Sequence, residues 1–235
     1  MSDITYFDRP EVNLVDLMGD DHSVTRAARV SVVGENYVDE DDIKEAGLIN
    51  YLIKSKHGSP FEHATFTWYV AGPIFVFREF MRHRIASYNE MSGRYTVLPA
   101  EFYVPAPDRP LVNVGSSARP EFTMGTVEQY DEFVADLMEG YEQQWARYER
   151  ALSKGIANEM ARLHLPVGIF SQMYVTMNLR ALMNFLSLRI DSPDSAVRSR
   201  PQREIQMVAE EMESDFRARF PMVHAAFVAN GRVAP

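Results

Sequence analysis

A chain of 235 residues with 46% hydrophobic and 11% aromatic content can bury one substantial core or two small ones. Its 24 basic against 33 acidic side chains leave a formal charge of -9 (24 - 33), so no global positive field draws in nucleic acid or an anionic membrane, and any anion site must be a local pocket. The absence of cysteine removes disulfides, thiolate metal centres and every mechanism that begins with a cysteine nucleophile.

In chain order, Val12 to Met18 is short and apolar-rich. After Gly19-Asp20-Asp21, the run Ser23 to Ser31 predicts a helix carrying Arg26 and Arg29, and the acidic stretch Glu35 to Glu45 reads as a loop leading into another helix. Ala64 to Val70, with Phe66, Trp68 and Val70 alternating, predicts a half-buried strand that Gly72-Pro73 ends. Pro73 suits the first position of a helix reaching about Arg84, with Ile74, Phe77 and Met81 on one face. From Thr96 to Gly115, Pro99, Pro105, Pro107 and Pro110 allow only strand pieces and loop, a surface excursion. Val127, Tyr130, Phe133, Leu137, Tyr141, Trp145 and Tyr148 recur at three or four residues and mark a long amphipathic helix from about Gly125 to Lys154. Gly155 interrupts it before a shorter helix. Gly168 to Met177 is β-prone, and Arg180 to Arg189 and Gln202 to Arg219 are helical. With no repeat, low-complexity tract or long linker, a single α+β domain over residues 1–235 is expected. No signal peptide or long apolar run is apparent, and a cytoplasmic protein is expected.

Periodicity exposes one odd residue. Leu182, Phe185 and Leu186 form an apolar stripe whose next member is Arg189. A buried guanidinium without a partner is costly, so Arg189 pairs with a carboxylate, reaches solvent, or waits for a ligand that supplies acceptors. On the same helix Arg180 and Asn184 are i and i+4 neighbours on a polar face. A second constellation, Arg82, His83, Arg84 and Arg94, brackets Ser87, Asn89, Glu90, Ser92 and Gly93. In an acidic protein this is a concentrated patch of donors suited to a phosphorylated small molecule, or else a turn salt-bridged by Glu79 and Glu90. His57, His63 and His83, with Glu62, lack the spacing of a compact tetrahedral metal set, and no metal is expected. The turn His57-Gly58-Ser59-Pro60 can instead offer polar groups to a heteroaromatic cofactor. No glycine-rich dinucleotide fingerprint, phosphate-binding loop or nucleophile elbow is present, and the residues alone lead as far as an anion-binding pocket.

Arg82-His83-Arg84, seven intervening positions and then Ser92 resemble the signature of the flavin-dependent thymidylate synthases. Arg26 to Ser31, His57 to His63, Arg162 to Pro166, and Asn178-Leu179-Arg180 through Asn184 to Arg189 resemble further family segments in the family's order. The resemblance implies an α+β fold with a mixed or antiparallel sheet packed with long helices. It also implies reductive methylation of dUMP to dTMP, with methylenetetrahydrofolate as carbon donor, NADPH as reductant and FAD as hydride carrier, in a homotetramer whose sites are shared between subunits. Carried over by position, Arg189 polarises the uracil ring. Arg82, Glu90, Ser92, Gly93, Arg94 and Arg162 match dUMP-contacting positions. Ser31, His57, Ser59, Arg82, His83, Arg84, Glu90, Asn178, Arg180 and Asn184 match flavin-contacting ones. Ser92 has no adjacent base and reads as a hydrogen-bonding group rather than a nucleophile. Two departures stand out: Glu79 replaces a glutamine that many members carry, and Pro193 to Pro201 is an insert where relatives have a short link with a histidine near the flavin. From other classes, a noncatalytic nucleotide- or RNA-binding module and a flavin-dependent methylation of uridine in RNA are the alternatives.

Overall fold

The computed structural model describes residues 3–34, 38, 41–117 and 119–235. Residues 35–37, 39 and 40 of the acidic stretch expected from Glu35 to Glu45 lie outside them. The described elements, in order, are β1 (Thr5–Phe7), β2 (Glu11–Met18), α1 (Asp21–Val33), α2 (Asp42–Lys54), a 3-10 helix (Ser59–His63), β3 (Thr65–Pro73), α3 (Ile74–Phe80) and β4 (Ser87–Glu90). There follow β5 (Glu101–Tyr103), β6 (Val112–Asn113), β7 (Phe122–Thr123), α4 (Val127–Ser153), α5 (Asn158–Ala161), a 3-10 turn (Arg162–His164), β8 (Phe170–Asn178), α6 (Leu179–Arg189), α7 (Arg203–Arg219) and α8 (Pro221–Ala229). The class is α+β, with both parallel and antiparallel strand pairs. The residues fall into two compact units.

The first unit comprises Met1–Pro10, Ala71–Arg78 and Glu90–Gln172. Its centre is aromatic. The long helix α4 presents Tyr141, Trp145 and Tyr148 from one face, and Phe102 stacks on Tyr141 with centroids 4.7 Å apart. Thr126 starts α4 as a capping box: its hydroxyl accepts from Gln129 N while the Gln129 side chain accepts from Thr126 N. The proline-rich stretch is more than the surface excursion expected of it, because β5 pairs in parallel with β1 and buries Phe102 and Tyr103. The prolines flank that short strand instead of interrupting it, so its backbone donors stay available. Gly168 is required here: a Cβ at that position would stand 2.2 Å from the Tyr141 hydroxyl, which donates to the Tyr103 carbonyl.

The second unit comprises Glu11–Val70, Glu79–Asn89 and Met173–Pro235. A four-stranded sheet runs in the order β2-β3-β8-β4. Phe66 and Trp68 of β3 stack at 4.8 Å, and the Trp68 indole N–H donates to Asp215 of α7 at 2.8 Å, so this buried ring keeps its polar atom satisfied. The helix expected to reach Arg84 stops at Phe80. His83 N–H closes onto the Phe80 carbonyl, and the Tyr88 hydroxyl lies 2.9 and 2.8 Å from the carbonyls of Phe80 and His83. These contacts satisfy oxygens that a continuing helix would use, and they throw Arg82, His83 and Arg84 into a tight turn. Met81, expected on the apolar face, is exposed, and Phe80 is buried. One further helix lies beyond those expected from sequence. Helix α8 follows α7 directly, with Pro221 in its first turn and the Asp21 carboxylate accepting from the amides of Met222 and Val223 at 3.0 and 2.9 Å.

Candidate active site

A cavity of about 450 Å3 opens in the second unit. The turn after α3 supplies Arg82, His83 and Arg84 to its wall, and α6 supplies Asn178, Arg180 and Asn184. The arginine-rich turn and the polar face of α6, separate in sequence, therefore line one space. Local rules explain the arrangement. Asn178 is the N-cap of α6, its Oδ1 accepting from Ala181 N at 2.8 Å, which fixes the helix start and leaves its amide nitrogen for other partners. One turn in, Arg180 donates from Nη1 to Glu62 at 2.7 Å and from Nε to the Pro235 carbonyl at 2.8 Å. Glu62, Ala234 and Pro235 complete much of the wall, and none of the three is among the cofactor positions expected from sequence. Their place follows from chain folding, which no local pattern announces.

Ser31, His57 and Ser59 are not part of that wall. Ser31 is exposed on α1 and donates to the Ala28 carbonyl at 3.1 Å. His57 meets Tyr51 edge-on at 5.7 Å, and Ser59 opens the 3-10 helix. Gly58 between them is pressed against Arg180: a Cβ there would lie 2.5 Å from the guanidinium carbon. The turn thus borders the site through its glycine.

At the far end of α6 the ambiguity over Arg189 resolves. Its Nη1 donates to Glu79 Oε2 at 2.6 Å, its Nη2 lies 3.3 Å from the Glu79 carbonyl, and its Nε donates to His83 Nε2 at 3.0 Å. The side chain is 15% exposed and that of Glu79 34%, so the pair is shielded enough to matter and open enough to be reached. Because His83 Nε2 accepts, the ring proton sits on Nδ1. Burial, reinforced by the Arg189 charge, pushes the His83 pKa down to about 4, which keeps the imidazole neutral at ordinary pH. Arg189 thus has a carboxylate partner and still holds unspent N–H donors.

The remaining site candidates lie in the first unit. Glu90, Gly93 and Arg162 line a smaller cavity of about 100 Å3 together with Ser171. Ser171 is buried and its hydroxyl has no hydrogen-bond partner among the described residues, a feature that nothing in the surrounding β-prone run announces. Gly93 fits tightly, since a Cβ would approach Leu98 at 3.3 Å and Arg162 at 3.4 Å. Ser92 Oγ accepts from Arg94 N at 3.3 Å, and Arg94 pairs with Glu159 at 3.1 Å and lies over the Tyr95 ring. The insert after Arg189 is tied down by Arg198, whose fork meets Asp191 at 2.6 and 2.9 Å. Among the described residues no group of three or more His, Asp or Glu side chains is placed to hold a metal ion, and no helix is long and apolar enough to cross a membrane.

A family model described as thymidylate synthase complementing protein matches residues 13–222. The chain belongs to the flavin-dependent thymidylate synthase family. A flavin-dependent thymidylate synthase of Streptomyces coelicolor is 49% identical over all of this chain and 94% of its own length. Another from Thermotoga neapolitana is 40% identical over 96% of this chain and 94% of its own. Among solved structures, the UMP/dUMP methylase PolB from Streptomyces cacaoi, bound with 5-Br UMP, is 44% identical, covers 99% of both chains and superposes with a TM-score of 0.92. For a flavin-dependent thymidylate synthase the lack of cysteine is no handicap, since the thiolate attack on uracil used by the unrelated thymidylate synthases is not required.

Proposed function

We propose that this chain, residues 1–235 acting as one catalytic domain, methylates dUMP reductively to dTMP, with FAD bound, methylenetetrahydrofolate donating the carbon and NADPH the reducing equivalents. The observation that carries the reading is the cavity in which Arg82, Arg84 and Arg180 converge with the amides Asn178 and Asn184 in a protein of net charge -9. Its donors are of the kind that phosphate oxygens and flavin carbonyls accept, and its size lies in the range of small-molecule sites. The residues therefore fit the flavin, which when bound supplies the hydride-transfer chemistry that side chains lack.

The chain's own groups then have defined tasks. Arg82, Arg84, Arg180, Asn178 and Asn184 bind and orient the cofactor. Glu90, Ser92, Gly93, Arg94 and Arg162 hold the nucleotide, the arginines meeting its phosphate. Arg189 places its unspent N–H donors beside the uracil ring and stabilises the negative charge that develops there. Glu79 and His83 hold that guanidinium in place, and neutral His83 does so without adding a second positive charge. The homotetramer, cytoplasmic location and both cosubstrates belong to this reading.

Purified protein incubated with FAD, NADPH, methylenetetrahydrofolate and dUMP should form dTMP, and Arg189→Ala should retain flavin while losing about 100- to 1,000-fold or more in turnover. Unchanged turnover in that variant would overturn the role of Arg189. Running UMP and a uridine-containing transcript beside dUMP as acceptors separates the nucleotide reaction from RNA methylation. Salt-sensitive RNA binding without flavin uptake would favour a noncatalytic module instead.

A further inference from the structure

Residues 231–235 follow α8 and run to the cavity, whose wall includes Ala234 and Pro235. Their course is braced at several points. Arg232, 5% exposed and at a positive φ of 56°, forks onto Glu213 of α7 at 2.7 and 2.9 Å, and His224 Nε2 lies 2.9 Å from the same carboxylate. Burial pushes the Glu213 carboxyl up, but hydrogen bonds from His224 and Arg232, with their charge, outweigh it and hold the group at about 2. The Gly231 carbonyl accepts from Ala196 N at 2.9 Å, and a Cβ on Gly231 would come within 2.8 Å of the Ala196 Cβ. The 193–201 insert therefore closes onto this segment, itself braced by the Asp191–Arg198 pair. Lys56 Nζ reaches the Ala234 carbonyl at 3.4 Å.

Beyond the brace, the Pro235 carbonyl takes Arg180 Nε, Glu62 takes Nη1, and Gly58 lies against the guanidinium. Nη2 is the guanidinium nitrogen left without a protein partner among the described residues. An arginine on an otherwise exposed helix face would sample many rotamers and lose that freedom on binding; one fixed in advance does not.

We propose that Arg232, Glu213 and the insert form a positioning device for the cofactor cavity: they hold Pro235 against Arg180 and so fix the direction in which Arg180 presents Nη2 to an acceptor oxygen of FAD. The proposal rests on FAD occupying this cavity. Arg232 and Glu213 are positioning residues that act through Arg180.

The test is a titration of FAD, followed by flavin fluorescence, into flavin-free wild type, Arg232→Ala, Arg180→Ala and the double variant. Arg232→Ala should weaken FAD binding about tenfold, while in the Arg180→Ala background the same change should cost less than about twofold, because the group through which it acts is gone. Glu213→Gln, which keeps the shape and removes the charge, should weaken binding several-fold and serves if Arg232→Ala does not fold. Wild-type affinity in both brace variants, or a loss undiminished in the Arg180→Ala background, would overturn the proposal. A wild-type chain that takes up no FAD would instead refute the cofactor assignment, and the proposal with it.

Discussion

Arg189 shows what a single residue discloses at each level. Its position at the end of an apolar stripe demanded either a carboxylate or a ligand, and nothing in the spacing could choose. Folding brings Glu79 and His83 to it from 110 and 106 residues away, and the Glu79 carboxylate becomes the counter-charge. His83 yields a prediction with a definite sign. Its folded pKa of about 4 lies below the ordinary histidine value of 6.5, so between these values the unfolded chain binds more protons than the native one. The stability His83 contributes is therefore complete above about pH 6.5 and is lost as pH falls toward 4. Urea unfolding at pH 7.5, 6 and 5 should show this decline, and His83→Gln should flatten it; an equally steep decline in the variant would contradict the buried neutral imidazole. Below about pH 4.5 a further loss should set in as Glu213, depressed to about 2, begins to be protonated in the unfolded chain.

Among the elements, the longer helices were legible: α4 lies where its three-to-four-residue repeat placed it, α6 and α7 where helices were expected over Arg180 to Arg189 and Gln202 to Arg219, and β3 and β8 near the β-prone runs. The failures share a cause. Helix α3 ends early because the Tyr88 hydroxyl and the His83 amide take over its last carbonyls, and β5 is held by partners distant in sequence, β1 on one side and Gly168-Ile169 on the other. Helix α8 carried one local cue, Pro221, but its cap comes from Asp21, 201 residues from Met222. Removing that carboxylate with Asp21→Ala should cost about 1–2 kcal/mol, the range for a lost N-cap. Amide exchange should localise the change to Met222 and Val223, and unaltered exchange there would show that α8 does not depend on this remote cap. The candidate site was legible to the same degree. Arg82 to Arg84, Asn178, Arg180 and Asn184 do share a cavity, whereas Glu62, Ser171 and Pro235 reach their sites through tertiary folding alone.

For the molecule as a whole, a net charge of -9 with only local clusters of arginine suits selective capture of small anions better than adhesion to nucleic acid. The candidate residues divide between the two units: Arg82, His83, Arg84, Arg180 and Arg189 in the second, and Glu90, Gly93, Arg94 and Arg162 in the first. Sharing of sites in a homotetramer, part of the proposed function, would give each group a role even where one chain offers only part of a wall. The proposed reaction as a whole stands on the flavin. The most direct measurement is the visible absorbance spectrum of the purified protein supplied with FAD, then reduced by NADPH and mixed with methylenetetrahydrofolate, with and without dUMP. Bound yellow flavin that NADPH bleaches, with an oxidised band that returns faster when dUMP is present, is the expected result; a protein that remains colourless after FAD is added and the free cofactor removed would overturn the proposed function.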